Sequence, residues 1–277
     1  MTRSPYVWLV SYPRSGNTWL RLALEALIEG ASPRINRQRL STPVTNRGEF
    51  DELLCVESSE LTDAEIEEAR PELYRALANN RSGCLILRKV HDRYWRTSGG
   101  QAVFPCDISR GAVYLVRDPR DIAISLADFW GKSIDWTIDF MADPNTAIGR
   151  PGGGMIDQLK QPLGAWSDHV TSWIDNAPLP IHLLRYEDML AEPSRRIAEA
   201  ARFAGLNDGG SEFAAMATNF GALRRQEDAE GFVERPSTAQ RFFRQGKSGA
   251  WRQLLTSTQS RRIERDHGAM MRRLGYA

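Results

Sequence analysis

What this 277-residue chain lacks narrows its nature before any motif is considered. It has three cysteines, Cys55, Cys84 and Cys106, with no CxxC or Cys/His spacing. An odd, scattered set argues against a disulfide framework and against a zinc site, and suits a reducing compartment. Charge of one sign is missing too: 36 basic residues face 35 acidic ones, for a formal +1. No global field therefore directs the chain to nucleic acid or to an anionic membrane, and any anion site must be local. No apolar run approaches the ~18 residues of a membrane span. The N-terminus passes into a short Trp/Val/Leu run that turns polar at Ser11, unlike a signal peptide, so a cytoplasmic, untethered protein is expected. Repeats, low-complexity tracts and Pro/Gly/Ser-rich linkers are absent as well, and residues 1–277 are expected to form one domain, with 42% apolar residues to build its core.

The elements that are present alternate. Tyr6 to Val10 is apolar and β-prone throughout, as in a strand buried on both faces of a parallel sheet. A turn follows, and Trp19, Leu22, Ala23, Ala26 and Leu27 then recur at helical spacing from Thr18 to Glu29, with Gly30 as stop signal. Residues 31–60 read as polar, irregular and peripheral. Thr62 with Glu65 forms a capping box for a helix reaching about Ala78, with Pro71 as a place to bend. Cys84 to Leu87, Ala112 to Val116 and Ile181 to Leu184 read as strands, Asp121 to Phe129 and Pro193 to Gly205 as helices. Residues 134–162, with Pro144, Pro151, Gly152 to Gly154 and Pro162, read as a loop able to serve as a lid. The fold class is α/β.

Three groups of residues carry chemistry. A strand entering a glycine turn and then a helix aims backbone N–H groups and the positive helix end at whatever occupies the turn, and phosphate is the natural occupant. In Tyr12-Pro13-Arg14-Ser15-Gly16-Asn17-Thr18-Trp19, Gly16 permits close approach, Arg14 adds charge, and Ser15, Asn17 and Thr18 add donors. The GxxxxGK(S/T) pattern of nucleotide kinases is missing, since no lysine follows Gly16. That removes a main support of γ-phosphoryl transfer and leaves a phosphate site that needs no metal. Arg117, after the strand Ala112 to Val116, and Ser125, eight residues on, are placed to read one anion. Arg88-Lys89-Val90-His91 closes another strand, where ligand sites gather in α/β sheets; a histidine there suits the work of a general base. His169, His182 and His267 are assigned to packing or surface roles.

The string from Tyr12 to Trp19 resembles the 5′-phosphosulfate loop of cytosolic-type sulfotransferases that use 3′-phosphoadenosine 5′-phosphosulfate (PAPS), which reads Tyr-Pro-Lys/Arg-Ser-Gly-Thr/Asn-Thr-Trp. The resemblance implies a three-layer α/β/α fold with a central parallel sheet, like that of P-loop NTPases. It also implies PAPS as donor, 3′-phosphoadenosine 5′-phosphate (PAP) as product, and no metal. Arg14 then takes the place of the cation at the bridging oxygen, and Trp19 stacks on adenine. Tyr114 to Ser125 looks like the family's 3′-phosphate segment, with Arg117 and Ser125 as its readers. Lys89-Val90-His91 resembles Lys-Thr-His, with His91 the base and Lys89 beside Arg14 on the sulfuryl oxygens. Tyr186 in Tyr186-Glu187-Asp188-Met189, with Thr218 and Phe220 in Thr218-Asn219-Phe220, completes the adenine side.

Phe243-Arg244-Gln245-Gly246-Lys247-Ser248-Gly249-Ala250-Trp251 resembles Arg-Lys-Gly-x-x-Gly-Asp-Trp, the loop over the 3′-phosphate. Two departures stand in it. Gln245 replaces the usual lysine, with Lys247 as a compensating cation, and Ala250 replaces the aspartate. Arg252, Thr256, Ser257 and Arg261 follow the family's dimerisation pattern only in part, which leaves monomer and homodimer both open. The expected acceptor is a small molecule or glycan, met by the 128–165 segment with Asp128, Phe129, Trp130, Lys132 and Trp136 and by the 31–60 region. Neither nucleic acid nor membrane is an expected partner. Competing expectations are an ATP-dependent small-molecule kinase and a catalytically silent nucleotide sensor.

Overall fold

The structure is a computed structural model that describes residues 5–40, 42–81, 83–149 and 158–276. The chain runs β1 (Tyr6–Ser11), α1 (Asn17–Glu29), α2 (Arg47–Leu54), a 3-10 turn (Ser58–Glu60), α3 (Asp63–Asn80), β2 (Ile86–Val90), β3 (Ser109–Val116), α4 (Pro119–Trp130), α5 (Ile134–Ala142) and β4 (Ala147–Ile148). It continues with β5 (Gln161–Pro162), α6 (Trp166–Ile174), β6 (Ile181–Arg185), α7 (Tyr186–Ala191), α8 (Pro193–Ala204), α9 (Ser211–Ala217), α10 (Phe220–Glu230), α11 (Trp251–Leu254) and α12 (Ser257–Arg273).

Every residue of β1 is buried, and its side chains part by alternation. Tyr6, Trp8 and Val10 enter one core with residues of α3, α4, α6 and α12, while Val7 and Leu9 enter another with residues of α1, α8 and α9. A strand apolar on both faces demands cover on both, and the outcome is helix, sheet, helix in three layers. The sheet is wholly parallel in the order β2-β1-β3-β6. Parallel strands put their carboxyl ends on one edge. The Tyr12–Gly16 turn, His91, Arg117 and Tyr186 each follow one of these four strands and so gather there. Among the described residues no helix is long and apolar enough to cross a membrane.

The expected helices and strands are present, with three corrections. Residues 31–60 are not irregular throughout: Asn46 caps α2 by accepting from the Glu49 N–H, and Val44, Thr45 and Phe50 are buried. Nor is 134–162 only a loop, because Ser133 caps α5 and β4 pairs with β5; Pro151 and Gly152 to Gly154 lie outside the described residues. The second strand spans Ile86–Val90 rather than Cys84 to Leu87. Arg88 sits inside it because its charge is met by Glu49 of α2, so a charged residue does not end the buried run. As expected, α3 continues through Pro71, ending at Asn80.

The segment after His91 is anchored from below. Arg70 of α3 meets Asp92 at 2.6 Å with both side chains fully buried, and the same guanidinium donates to the Tyr74 hydroxyl. Removing either partner of such a pair would leave a buried charge costing about 3–5 kcal/mol.

Candidate functional site

The turn after β1 is built by two residues in the left-handed region, Arg14 at φ 68° and Gly16 at φ 103°. Gly16 has no substitute: a Cβ there would stand 2.7 Å from Cδ2 of Tyr186. The turn opens onto a cavity of about 560 Å³. Of the residues singled out in the sequence, His91, Arg14, Lys89, Gly16, Asn17, Thr18, Trp19, Arg117, Ser125, Tyr186, Thr218, Phe220, Phe243, Arg244, Gln245 and Gly246 all line it; Ser15 alone does not. Among its described lining residues are four cations, Arg14, Lys89, Arg117 and Arg244, against one carboxylate, Glu234. The chain's near-zero net charge thus conceals a locally cationic pocket.

Arg14 is held between two rings, its guanidinium carbon 4.5 Å from the centroids of both Phe129 and Phe242. Its Nε donates to Ser125 Oγ at 3.0 Å and its Nη2 to the Phe242 carbonyl. Burial, and then Arg117, bring its pKa down to about 10, so it stays charged at neutral pH. Arg117 lies 4.4 Å over the Tyr186 ring and donates to the carbonyls of Arg14 and Lys247, joining the turn to the C-terminal loop.

His91 Nδ1 lies 2.8 Å from the Ser11 carbonyl oxygen. A carbonyl only accepts, so Nδ1 carries the proton and Nε2 keeps its lone pair. Burial and then the nearby Lys89 charge hold the His91 pKa well below the usual histidine value, and the ring is neutral at pH 7. Its backbone is fixed by His169, whose Nε2 donates to the His91 carbonyl at 2.9 Å while its Nδ1 accepts from the Tyr114 hydroxyl at 2.7 Å. His169 and His267 are buried, in keeping with packing roles.

The last wall is the stretch from Phe242 to Trp251. Glu227 of α10 accepts from the N–H groups of Phe242 and Phe243, and Asp121 of α4 accepts from those of Gly249 and Trp251 at 2.6 and 3.0 Å. Gly246, at φ 58°, lies against Phe220, whose Cδ2 would be 2.3 Å from an added Cβ. Lys247 does not line the cavity; with Arg244 and Gln245 it borders a neighbouring surface recess. Of the segment expected to meet an acceptor, Phe129, Trp130, Ile148 and Gln158 reach the cavity, whereas Trp136 packs on Phe140 and under Lys132.

The description of a sulfotransferase domain matches residues 4–275. The chain belongs to the PAPS-dependent sulfotransferase family. Dog (Canis lupus familiaris) sulfotransferase 1A1 is 26% identical over 172 residues, covering 60% of this chain and 56% of that relative. Sulfotransferase 1B1 of the same species is 23% identical over 275 residues, covering 95% and 82%. The crystal structure of mouse sulfotransferase SULT7A1 complexed with PAP shares the fold, with a TM-score of 0.59 at 21% identity, over 98% of this chain and 85% of that one.

In this sulfotransferase several expected donors are already engaged. Asn17 Nδ2 donates to the Leu9 carbonyl, Thr18 Oγ1 to Glu234, and Thr218 Oγ1 to the Ala214 carbonyl. What Asn17 and Thr18 leave available to an anion is chiefly the backbone N–H groups at the start of α1. Ser15 Oγ, Trp19 Nε1 and Arg117 Nε, by contrast, are buried with no hydrogen-bond partner among the described residues. Sequence reading missed Glu234, Phe242, Asp121 and Glu227. Of these only Asp121 falls within a segment that the sequence singles out, and each meets a partner elsewhere in the chain.

Proposed function

We propose that this chain moves the sulfuryl group of PAPS to a hydroxyl of a small-molecule or glycan acceptor, releasing PAP, with His91 as general base. The observation that carries the reading is His91 itself. It is locked by Ser11 into the tautomer with a free Nε2, and it lines a cavity walled by four cations. PAPS, when bound, supplies an activated sulfuryl group on a nucleotide that leaves as a stable bisphosphate.

The residues fit such a nucleotide. Polar atoms orphaned at Ser15, Trp19 and Arg117 ask for partners that a phosphate-bearing ligand provides. Arg14, Ser15, Gly16, Asn17 and Thr18 would hold the 5′ end; Arg117, Ser125, Phe243, Arg244, Gln245 and Gly246 would hold the 3′-phosphate. Trp19, Tyr186, Thr218 and Phe220 would enclose the base. His91 Nε2 would take the acceptor proton, and Lys89 and Arg14, which line the same cavity, would stabilise the negative charge that gathers on the sulfuryl oxygens. The aromatic and aliphatic wall of Phe129, Trp130, Ile148 and Phe242 supports an acceptor with apolar surface beside its hydroxyl.

Transfer of label from [35S]PAPS across an acceptor panel tests the reading, and a protein that binds no PAP would overturn it. His91→Ala should lower kcat by about 10²- to 10⁴-fold and leave PAP affinity nearly unchanged. The pH profile follows from two groups. His91 must be neutral, which holds down to well below pH 6.5. Lys89 must be charged, which is lost as pH rises through about 8. Activity should therefore persist into mildly acidic buffer and decline on the alkaline side; an acid limb at the ordinary histidine value would count against His91.

A further inference from the structure

Glu234 is a carboxylate in a cavity otherwise arranged for anions. It lies beyond α10, in no recognised motif, and points back to α1 and β2. Its Oε1 accepts from Arg21 Nη2 at 2.8 Å, and its Oε2 from Arg21 Nη2 at 3.0 Å and Thr18 Oγ1 at 3.2 Å. Lys89 Nζ is 3.8 Å from the same Oε2. Arg21 is completely buried and also donates to Asn17 Oδ1, Gln38 Oε1 and the Leu40 carbonyl, so the carboxylate is gripped in one orientation.

A negative charge here weakens the cavity's attraction for a nucleotide, and a neutral side chain would serve binding better. Its use must lie elsewhere. We propose that Glu234 is a positioning residue for the transfer step: it holds the Lys89 ammonium in place, and in its charged form, beside His91. This rests on the sulfuryl-transfer reading.

The surroundings of Lys89 show why such a residue is needed. Arg21 of α1 and Arg14 of the turn face it with like charge, His91 stands two residues on, and Glu234 is the carboxylate in contact. Enclosure already depresses the Lys89 pKa to about 8, against the pull of Glu234 and with the push of Arg21 and Arg14. Without the carboxylate the Lys89 pKa would fall further, and a neutral amine offers little to developing negative charge. Glu234 does not rival His91 as base. Burial would raise its pKa, but Lys89 and Arg21 outweigh that and hold it down at about 2.

The test separates binding from turnover. Glu234→Gln should bind PAP as tightly as the parent or a few-fold more tightly by calorimetry. Its kcat should fall, with the alkaline limb of the pH profile moved down by about one unit or more, the scale of a charge removed from ~4 Å. Lys89 is one of four lysines, so reductive methylation with 13C-formaldehyde allows its titration to be followed by NMR, with Lys89→Arg assigning the signal. A Lys89 titration at the same pH in parent and Glu234→Gln overturns the proposal. So does a variant whose PAP affinity and kcat fall together.

Because Glu234→Gln strips buried Arg21 of its counter-charge and can fail to fold, Glu234→Asp provides a second route. It keeps the charge for Arg21 and withdraws it from Lys89 by one methylene. A smaller downward shift is expected, and an unmoved limb and titration overturn the idea. The NMR titration needs no turnover, so a chain that transfers nothing from PAPS would refute the donor reading without touching the Glu234–Lys89 link.

Discussion

Two segments of this sulfotransferase face the proposed nucleotide, and they are built on opposite principles. The backbone of the turn from Tyr12 to Thr18 is held chiefly by its own neighbours, with one added bond from Arg117 to the Arg14 carbonyl: the Ser15 N–H donates to the Tyr12 carbonyl, Leu20 N–H to Gly16, and Asn17 Nδ2 to Leu9. The stretch from Phe242 to Trp251 has little regular structure of its own. It is held by Glu227 of α10 and by Asp121, which reaches it from 128 residues away in the chain. Both place one glycine, Gly16 or Gly246, in left-handed conformation beneath an aromatic ring. The difference lies in what fixes them. The turn is a rigid feature of a buried strand and helix, while the loop is a latch whose strength depends on a few remote acceptors.

The largest effect should come from damage to the rigid side. In Gly16→Ala the backbone at φ 103° is strained for any L residue, by about 1–2 kcal/mol. The added Cβ must also displace Tyr186, and Tyr186 carries Arg117 on its ring. The turn and Arg117, the proposed reader of the 3′-phosphate, are then disturbed together. PAP affinity should drop by at least about 100-fold, equivalent to roughly 2.7 kcal/mol, while the core melts cooperatively at a somewhat lower temperature. Calorimetry and thermal unfolding check this, and near-normal PAP binding would mean that the turn is more pliant than its geometry indicates.

A change to the latch should be milder and kinetic. Asp121→Ala removes the acceptor for Gly249 and Trp251 N–H groups, and charge-assisted bonds of this kind are worth about 1.5–3 kcal/mol each. Part of that is recovered by water, because Gly249 and Trp251 are only half-buried although Asp121 itself is buried. Dissociation of PAP, followed by stopped-flow tryptophan fluorescence, should quicken by about ten- to a hundred-fold, with association changed far less. Equal slowing of association would show that Asp121 shapes the open protein as well, and an unaltered off-rate would remove it from the latch.

The same contrast explains what could be read from the sequence. The turn was legible because its determinants are contiguous, and the strands Tyr6–Ser11 and Ser109–Val116 because apolar runs buried on both faces are unmistakable, while the half-exposed edge strand Ile181–Arg185 was legible from its short apolar run alone. His91 could be placed at a strand end, but its tautomer depends on Ser11, 80 residues earlier. β2 was misjudged because Arg88 looks like a terminator until Glu49 of α2 is seen to meet it. The caps of α2 and α5, Asn46 and Ser133, were present in the sequence; polar composition obscured α2, and the prolines and glycines that follow obscured α5. Glu234 had no local signal at all, since its meaning lies wholly in Arg21, Thr18 and Lys89.

The smallest expected effect sharpens the comparison most. Gln245 stands where the resembling loop carries lysine, it lines the cavity beside Arg244, and Lys247 does not line it. If the latch is limited by charge, Gln245→Lys should tighten PAP by about three- to ten-fold, the scale of a partly exposed charge pair. The gain should shrink as salt is raised, because Arg244 and the new lysine both lie near solvent. If the latch is limited instead by the Asp121 contacts, the substitution should leave affinity within about two-fold and insensitive to salt. Combining it with Asp121→Ala then decides the matter. Additive effects place charge and latch on independent footings, whereas a lysine that helps only when Asp121 is intact means that the loop must first be closed before its cations reach the 3′-phosphate.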